Sequence, residues 1–405
     1  MQRSTIGVHT MSVFLQLSRS KMETLVKHFC KYRERTKAIR MFIPQKSSSG
    51  KETRYSEYSP RYSNGHLILP RILKIIYPDK DYGISWKLRC EKKDAYKSYT
   101  VEAKINPKIL GGTQDYISAA IYDDLLQAIP KFDLMVKNIS PLLRTFACYK
   151  PNRIDYCANL ALRELAPGCP SDMVMKLIQR ADVPPDYEPK MEYSETSHRK
   201  ELVQNSLYLE CESTNINCYE KLVELQKRNR KDEESGPITQ KVLEEARDII
   251  RFEVQCLYPR TRKLCQQAKI IGLQGIDIYR HLFDYKTFLK VINTYYKNTI
   301  GRGDWFTLSA AEKKIESKSY NSQKKERLLN ALREVNQCRS LSKAKAKYQG
   351  DDLEAFTRTL KDLADIGINP VTIPREWGIA HIPNLMRTFN DTSLSRELYP
   401  DPALI

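Results

Sequence analysis

The sequence predicts an α+β protein: a mostly antiparallel central sheet with flanking helices, followed by a helical C-terminal region that suggests a winged helix. Three observations predict it. Several runs alternate with period two, which is the mark of a half-buried strand. In VEAKIN, Val101, Ala103 and Ile105 fall on one side and Glu102, Lys104 and Asn106 on the other. RIDYCANL sets Ile154, Tyr156, Ala158 and Leu160 against Asp155, Cys157 and Asn159, and RFEVQC sets Phe252, Val254 and Cys256 against Arg251, Glu253 and Gln255. Stretches with apolar residues at helical spacing lie between these runs. Beyond about Gln266 the helical spacing dominates.

Taken in order, residues 1 to about 60 read as an N-terminal extension, a short apolar run and basic helical sequence closing in the serine-rich loop QKSSSGKETRYSEYSP. HLILPRILKIIY, GISWKLRC and YTVEAKINPKIL read as a meander of strands, left through Asn106-Pro107 and Gly111-Gly112. A helix over ISAAIYDDLLQAIPKFDL, with Ile121, Leu125, Leu126 and Ile129 as its apolar positions, leads to the strand RIDYCANL. A second helix covers SDMVMKLIQRA, and DVPPDYEPKMEYSETSH, with its prolines, is a loop. NSLYLECEST and INCYEKLVEL follow, as a strand pair or as a strand running into a helix, with ESTN as the turn. The charged QKRNRKDEESGPITQ is a solvated excursion before VLEEARDIIRFEVQCLYPR passes from helix to strand. In the C-terminal part Leu328, Leu329, Leu332 and Val335 form one stripe, and Leu353, Phe356, Leu360 and Leu363 another, stopped by Gly367 and Pro370. NPVTIPREW is the candidate wing. The expected division is therefore 1–60, a catalytic domain over 61–265 and a helical accessory domain over 266–405.

Composition narrows the function. Lys and Arg number 67 against 49 acids, a net charge of +18 over 405 residues, which favours a polyanionic partner, DNA first of all. No apolar run approaches the length of a membrane span, MSVFLQL is too short for a signal peptide, and a cytoplasmic protein without a membrane partner is expected. The ten cysteines form no CxxC or Cys/His cluster, so zinc is not expected.

Glu102, Asp155 and Glu253 share the polar side of their strands, and Tyr219 lies in CYEKLVEL with Lys221 two residues on. Three carboxylates can hold a hard divalent cation, Mg2+ or Mn2+, against a phosphate, with Asn159 as a neutral fourth ligand. A tyrosine can attack a phosphodiester and retain the bond energy as phosphotyrosine, and a lysine beside it lowers the cost of ionising the phenol. The basic LSKAKAKYQG places Lys343, Lys345 and Lys347 beside the C-terminal helix pair, as candidate DNA-backbone contacts.

VEAKINPKILGG, NRIDYCANLAL, CYEKLVELQKR and IIRFEVQCLYPRTRKL occur in the order and approximate spacing of the replication initiators of filamentous phages, and the chain resembles that gene-two protein family of nickases. A more distant likeness is to the plasmid Rep-trans initiators. The resemblance implies site-specific nicking and closing of DNA in rolling-circle replication of a phage or plasmid in a bacterial host. In it Tyr219 is the nucleophile with Lys221 beside it, Glu102, Asp155 and Glu253 hold the metal, and a host helicase is the partner. Rep-trans relatives often carry a second acid where this chain has Asn159. No two of the six histidines form a His-x-His pair, which argues against a histidine-metal relaxase, and no arginine–histidine grouping suggests a tyrosine recombinase. The rival of another class is a non-catalytic origin binder that recruits the helicase, a protein with no reason to assemble the acids.

Overall fold

A computed structural model describes residues 5–46, 53–78, 82–93, 96–113, 115–194, 199–202, 205–231 and 238–390. The strands are β1 (Thr5–Leu17), β2 (Arg40–Lys46), β3 (Thr53–Glu57), the small hairpin β4–β5 (Tyr62–Ser63, His66–Leu67), β6 (Ile72–Ile76), β7 (Ile84–Lys93), β8 (Tyr96–Ile105) and β9 (Lys150–Ala161). They continue with β10 (Glu188–Pro189), the pair β11–β12 (Met191–Ser194, Arg199–Leu202), β13 (Ser206–Glu210), β14 (Thr214–Glu220), β15 (Ile249–Cys256) and the pair β16–β17 (Trp305–Phe306, His381–Ile382). One sheet joins eleven of these in the order β10-β13-β14-β15-β9-β1-β8-β7-β6-β2-β3. Its ladders are antiparallel, and β6-β7-β8 is the expected meander.

The largest departure from the sequence reading is at the N-terminus. The stretch read as an extension contains β1, which lies mid-sheet between β9 and β8, and it continues through helix Arg19–Thr36 into β2. Ile6, Val8, Met11 and Val13 are buried, and so are Thr10 and Ser12 on the opposite side. A strand buried on both sides does not alternate cleanly, so its pattern resembled a loose apolar run. Residues 47–52 of the serine-rich loop lie outside the described residues, and the part from Thr53 to Glu57 is the edge strand β3.

One side of the sheet is apolar and packs on helices. Trp86 meets Phe29 of Arg19–Thr36 and Phe132 of helix Tyr122–Ile139. That helix turns Leu125, Ala128, Phe132 and Val136 inward, leaving Ile121 and Leu126 exposed, so its buried stripe is rotated from the expected one. Tyr156 and Phe252 pack on Phe288 and Tyr296 of helix Tyr285–Thr299. The boundary expected near 265 falls inside helix Tyr258–Ile270, and helix Tyr285–Thr299 beyond it packs against β1, β9 and β15.

The C-terminal stripes fold as read: helices Ser322–Cys338 and Gly350–Asp365 bury Leu328, Leu332, Val335, Phe356, Leu360 and Leu363. The candidate wing segment gives a short helical turn at Arg375–Trp377, and the strand that pairs with β16 comes after it, at His381–Ile382.

Candidate functional site

The polar side of the central strands holds the candidate site. On β14 and β15 the register sets Asn217 opposite Glu253 and Tyr219 opposite Arg251. Between β15 and β9, Glu253 faces Cys157 and Gln255 faces Asp155, so the two acids are diagonal neighbours on adjacent strands. Next along is β1, where Thr10 faces Asp155 and the register shifts between Val8 and Thr10. His9 occupies that bulge, and a bulge re-aims a side chain.

His9 Nδ1 lies 2.7 Å from Glu253 Oε2, and the Tyr219 hydroxyl donates to the same oxygen at 3.3 Å. Gln255 Nε2 donates to Glu253 Oε1 at 2.7 Å and Asn217 Nδ2 at 3.4 Å. Burial pushes the Glu253 carboxyl up, but His9, Gln255 and Arg251 outweigh it and hold it well below the ordinary carboxylate range. Burial, with Arg251 and Lys221 adding to it, lowers His9 against the pull of Glu253. The pair is therefore a neutral imidazole donating Nδ1–H to a carboxylate, with Nε2 left as an acceptor. His9 keeps 18% of its side chain exposed and Glu253 only 4%, so the imidazole is the member that meets solvent.

Asp155 accepts from Arg153 Nε at 2.6 Å and Nη2 at 2.8 Å, and from the Thr10 hydroxyl. One partner of each acid, Thr10 for Asp155 and His9 for Glu253, thus comes from β1, the strand that the sequence pattern did not place in the sheet. A lone His9 in an unassigned apolar run gave no signal of its own.

Tyr219 is 7% exposed. Its phenol is raised well above the ordinary value, by burial first and by the negative Glu253 second. Opposite it, Arg251 is fully buried: Nε donates to Asn159 Oδ1 at 2.8 Å and Nη2 to the Ile117 carbonyl, while Nη1 has no partner among the described residues. Lys221 is not on an extended strand. The chain turns there into helix Lys221–Lys231, and its buried ammonium, lowered to about 8 chiefly by burial, donates to Glu224 at 2.7 Å. Glu224 in turn is held down to about 2, with Lys221 and Arg228 overcoming its burial.

Two expected ligands sit elsewhere. Glu102 on β8 is opposite Phe14, whereas Asp155 is opposite Thr10, a difference of four residues, or about 13 Å, along β1. Glu102 accepts from Arg89 Nη2 at 3.1 Å and Asn152 Nδ2 at 3.0 Å. Asn159 is occupied by Arg251, by Thr5 (2.9 Å) and by the Ile117 carbonyl (2.7 Å), so it is a brace of the sheet and not a free donor. Among the described residues no three acids, histidines or cysteines are grouped as a metal cage. What remains is two carboxylates whose oxygens already accept hydrogen bonds, Asp155 from Arg153 and Thr10 and Glu253 from His9, Tyr219, Gln255 and Asn217. They form no all-protein cage, and a magnesium ion shared with a substrate phosphate, which takes one or two protein carboxylates, would bind them only in exchange for some of those bonds.

Of the C-terminal lysines, Lys345 is ion-paired with Asp182 and Lys347 with Glu334, while Lys343 is exposed. Among the described residues no helix is long and apolar enough to cross a membrane.

No family model matches the chain, and no curated protein matches it either. Among solved structures, one described as the rolling circle replication initiator protein from Geobacillus stearothermophilus is similar, with a TM-score of 0.31 and 10% identity, over 73% of this chain and 86% of that one. A likeness of that size does not carry a function from one chain to the other.

Proposed function

We propose that this protein nicks and recloses DNA, as an initiator of rolling-circle replication, with Tyr219 as nucleophile. The observation that carries the reading is the Tyr219 hydroxyl donating to Glu253, which is bridged in turn to His9. In the step, a Tyr219 Oη–P bond forms and the P–O3′ bond breaks. The phenolic proton passes to Glu253, the departing 3′ oxygen takes its proton from solvent water, and a 5′-phosphotyrosine remains for religation. Arg251 Nη1, buried beside the phenol and without a partner among the described residues, is a donor for a phosphate oxygen. Asp155 and Glu253 would hold Mg2+ or Mn2+, which when bound supplies positive charge at the scissile phosphate and offsets the cost of ionising a buried phenol. His9 orients Glu253 through its Nδ1–H. The family resemblance of the four sequence blocks supports the same assignment.

The test is a supercoiled cognate replicon incubated with protein and magnesium. Tyr219→Phe is expected to abolish relaxation and the covalent protein–DNA product while leaving DNA affinity unchanged. Relaxation at a comparable rate would move the role to Tyr208, whose ring lies 6.5 Å from that of Tyr219 on the neighbouring strand. DNA binding without relaxation by the parent protein would favour the origin-binder reading.

A further inference from the structure

Beyond the acids, the same side of the sheet continues over β1, β8, β7, β6 and β2 and changes character. A single row crosses it: Lys150 opposite Phe14, Phe14 opposite Glu102, Glu102 opposite Lys87, Lys87 opposite Lys74, and Lys74 opposite Phe42. Arg89 and Lys104 flank the row on the same side. Tyr55 of β3 lies under the Lys74 ammonium at 4.9 Å and is 53% exposed. Phe14, Phe42, Lys74, Lys87 and Arg89 are half-buried, whereas Met41, Ile75, Trp86, Leu88 and Val101 on the reverse side are buried in the core.

Like charges directly opposite each other in a sheet are destabilising. Among the described residues neither Lys74 nor Lys87 has a carboxylate at ion-pair distance: Glu102 and Glu91 both pair with Arg89, and Glu57, where the row ends on β3, stands opposite Phe42. Burial, then Arg89, lowers the Lys87 ammonium, with Lys74 and Arg153 adding to it against the pull of Glu102. Lys74 and Lys87 are crowded together without an ion pair among the described residues, and aromatic rings are interleaved with them. A basic surface interleaved with aromatic faces matches a single strand of nucleic acid, whose phosphates pair with the cations and whose bases stack on the rings.

We infer that the face carrying Lys74, Lys87, Arg89, Phe14, Phe42 and Tyr55 is the path of a single nucleic-acid strand leading to the acids. The nicking reading is needed only to say which strand this is; the binding itself stands apart from it. From β14 to β2 there are seven inter-strand spacings, about 34 Å, which a stacked strand covers in roughly ten nucleotides.

The experiment measures binding of a fluorescent twelve-nucleotide oligothymidylate by anisotropy across a salt series, in the Tyr219→Phe background so that cleavage plays no part. Lys74→Gln with Lys87→Gln is expected to weaken binding at least tenfold and to reduce the log–log salt slope by about 1.4, at about 0.7 per lysine on a single strand. The melting temperature should hold or rise, because a repulsive pair has been removed. Tyr55→Ala, at an exposed position that does not threaten folding, is expected to weaken binding about tenfold with little change in slope. Unchanged affinity and slope in the folded double variant, or unchanged affinity in Tyr55→Ala, would overturn the assignment. So would tighter, equally lysine-dependent binding of a duplex of the same length. Intact binding by a protein that never nicks would count against the nicking reading alone.

Discussion

His9 sets the character of the acid pair, because it keeps Glu253 anionic while remaining neutral itself. That arrangement has a pH signature. Between the depressed folded value of His9 and its ordinary 6.5, the unfolded chain holds a proton that the folded chain does not, so stability falls as pH drops through this window. Glu253, depressed as well, acts with the same sign at lower pH. Thermal melts between pH 7.5 and 5.5 should show a declining Tm in the parent and a flatter curve in His9→Gln. On the proposed mechanism the same substitution should slow nicking by removing the donor that orients Glu253, which relaxation rates would show. Lys221 offers a second check: with Lys221→Gln the Glu224 carboxyl should rise from about 2 towards its ordinary value, read by NMR titration. None of this was legible in the sequence, since His9 and Lys221 acquire their surroundings from residues 244 and 3 positions away respectively. That Asp155 and Glu253 lie on the polar side was legible, because each sits on a strand whose alternation announces which side faces the core, whereas Tyr219 stood out only through the family resemblance of its segment.

At the level of elements, β1 does most to assemble the site, and its close fit is exposed at Gly7. A Cβ there would stand 2.5 Å from the Ala120 carbonyl oxygen, on backbone that pairs with Val8. Gly7→Ala is expected to cost about 1–3 kcal/mol, as overpacking of a tight site does, and to disturb His9 two residues along. Denaturant melts and nicking rates check both. The alternating strands β6 to β9 and β15 were recognisable because one of their sides meets water or polar groups. β1 was not, since it is buried on both, and of the two readings that INCYEKLVEL allows, a strand pair or a strand running into a helix, the structure has the second, turning at Lys221. Glu102 was wrongly grouped with the other acids because periodicity reports the side of a strand but not the position along it.

For the whole molecule, the expected separation of binding from chemistry takes a different form. Two of the three C-terminal lysines are spent on Asp182 and Glu334. Neutralising Lys343, Lys345 and Lys347 together should therefore reduce the duplex salt slope by no more than about 0.9, one contact's worth, against about three if all were free. The Lys345–Asp182 pair also ties the short helix Leu341–Lys345 to the end of the segment after helix Ser171–Ile178. The triple variant should consequently lose some thermal stability, which a melt would show.

The placement of β1 also dictates the order in which the protein can be made. Thr10 must wait for Asp155, 145 residues later, and His9 for Glu253, 244 residues later. During synthesis the emerging β1 has no lasting partner until β8 appears, and its other edge stays open until β9 is made. Contacts of such long sequence separation pay a large loop-closure entropy before they return any stability, which slows folding and leaves strand edges bare in the meantime. A nascent chain stalled before Glu253 would hold a half-built sheet with the candidate site incomplete, so the site is assembled late, in a single step, when β15 closes between β9 and β14.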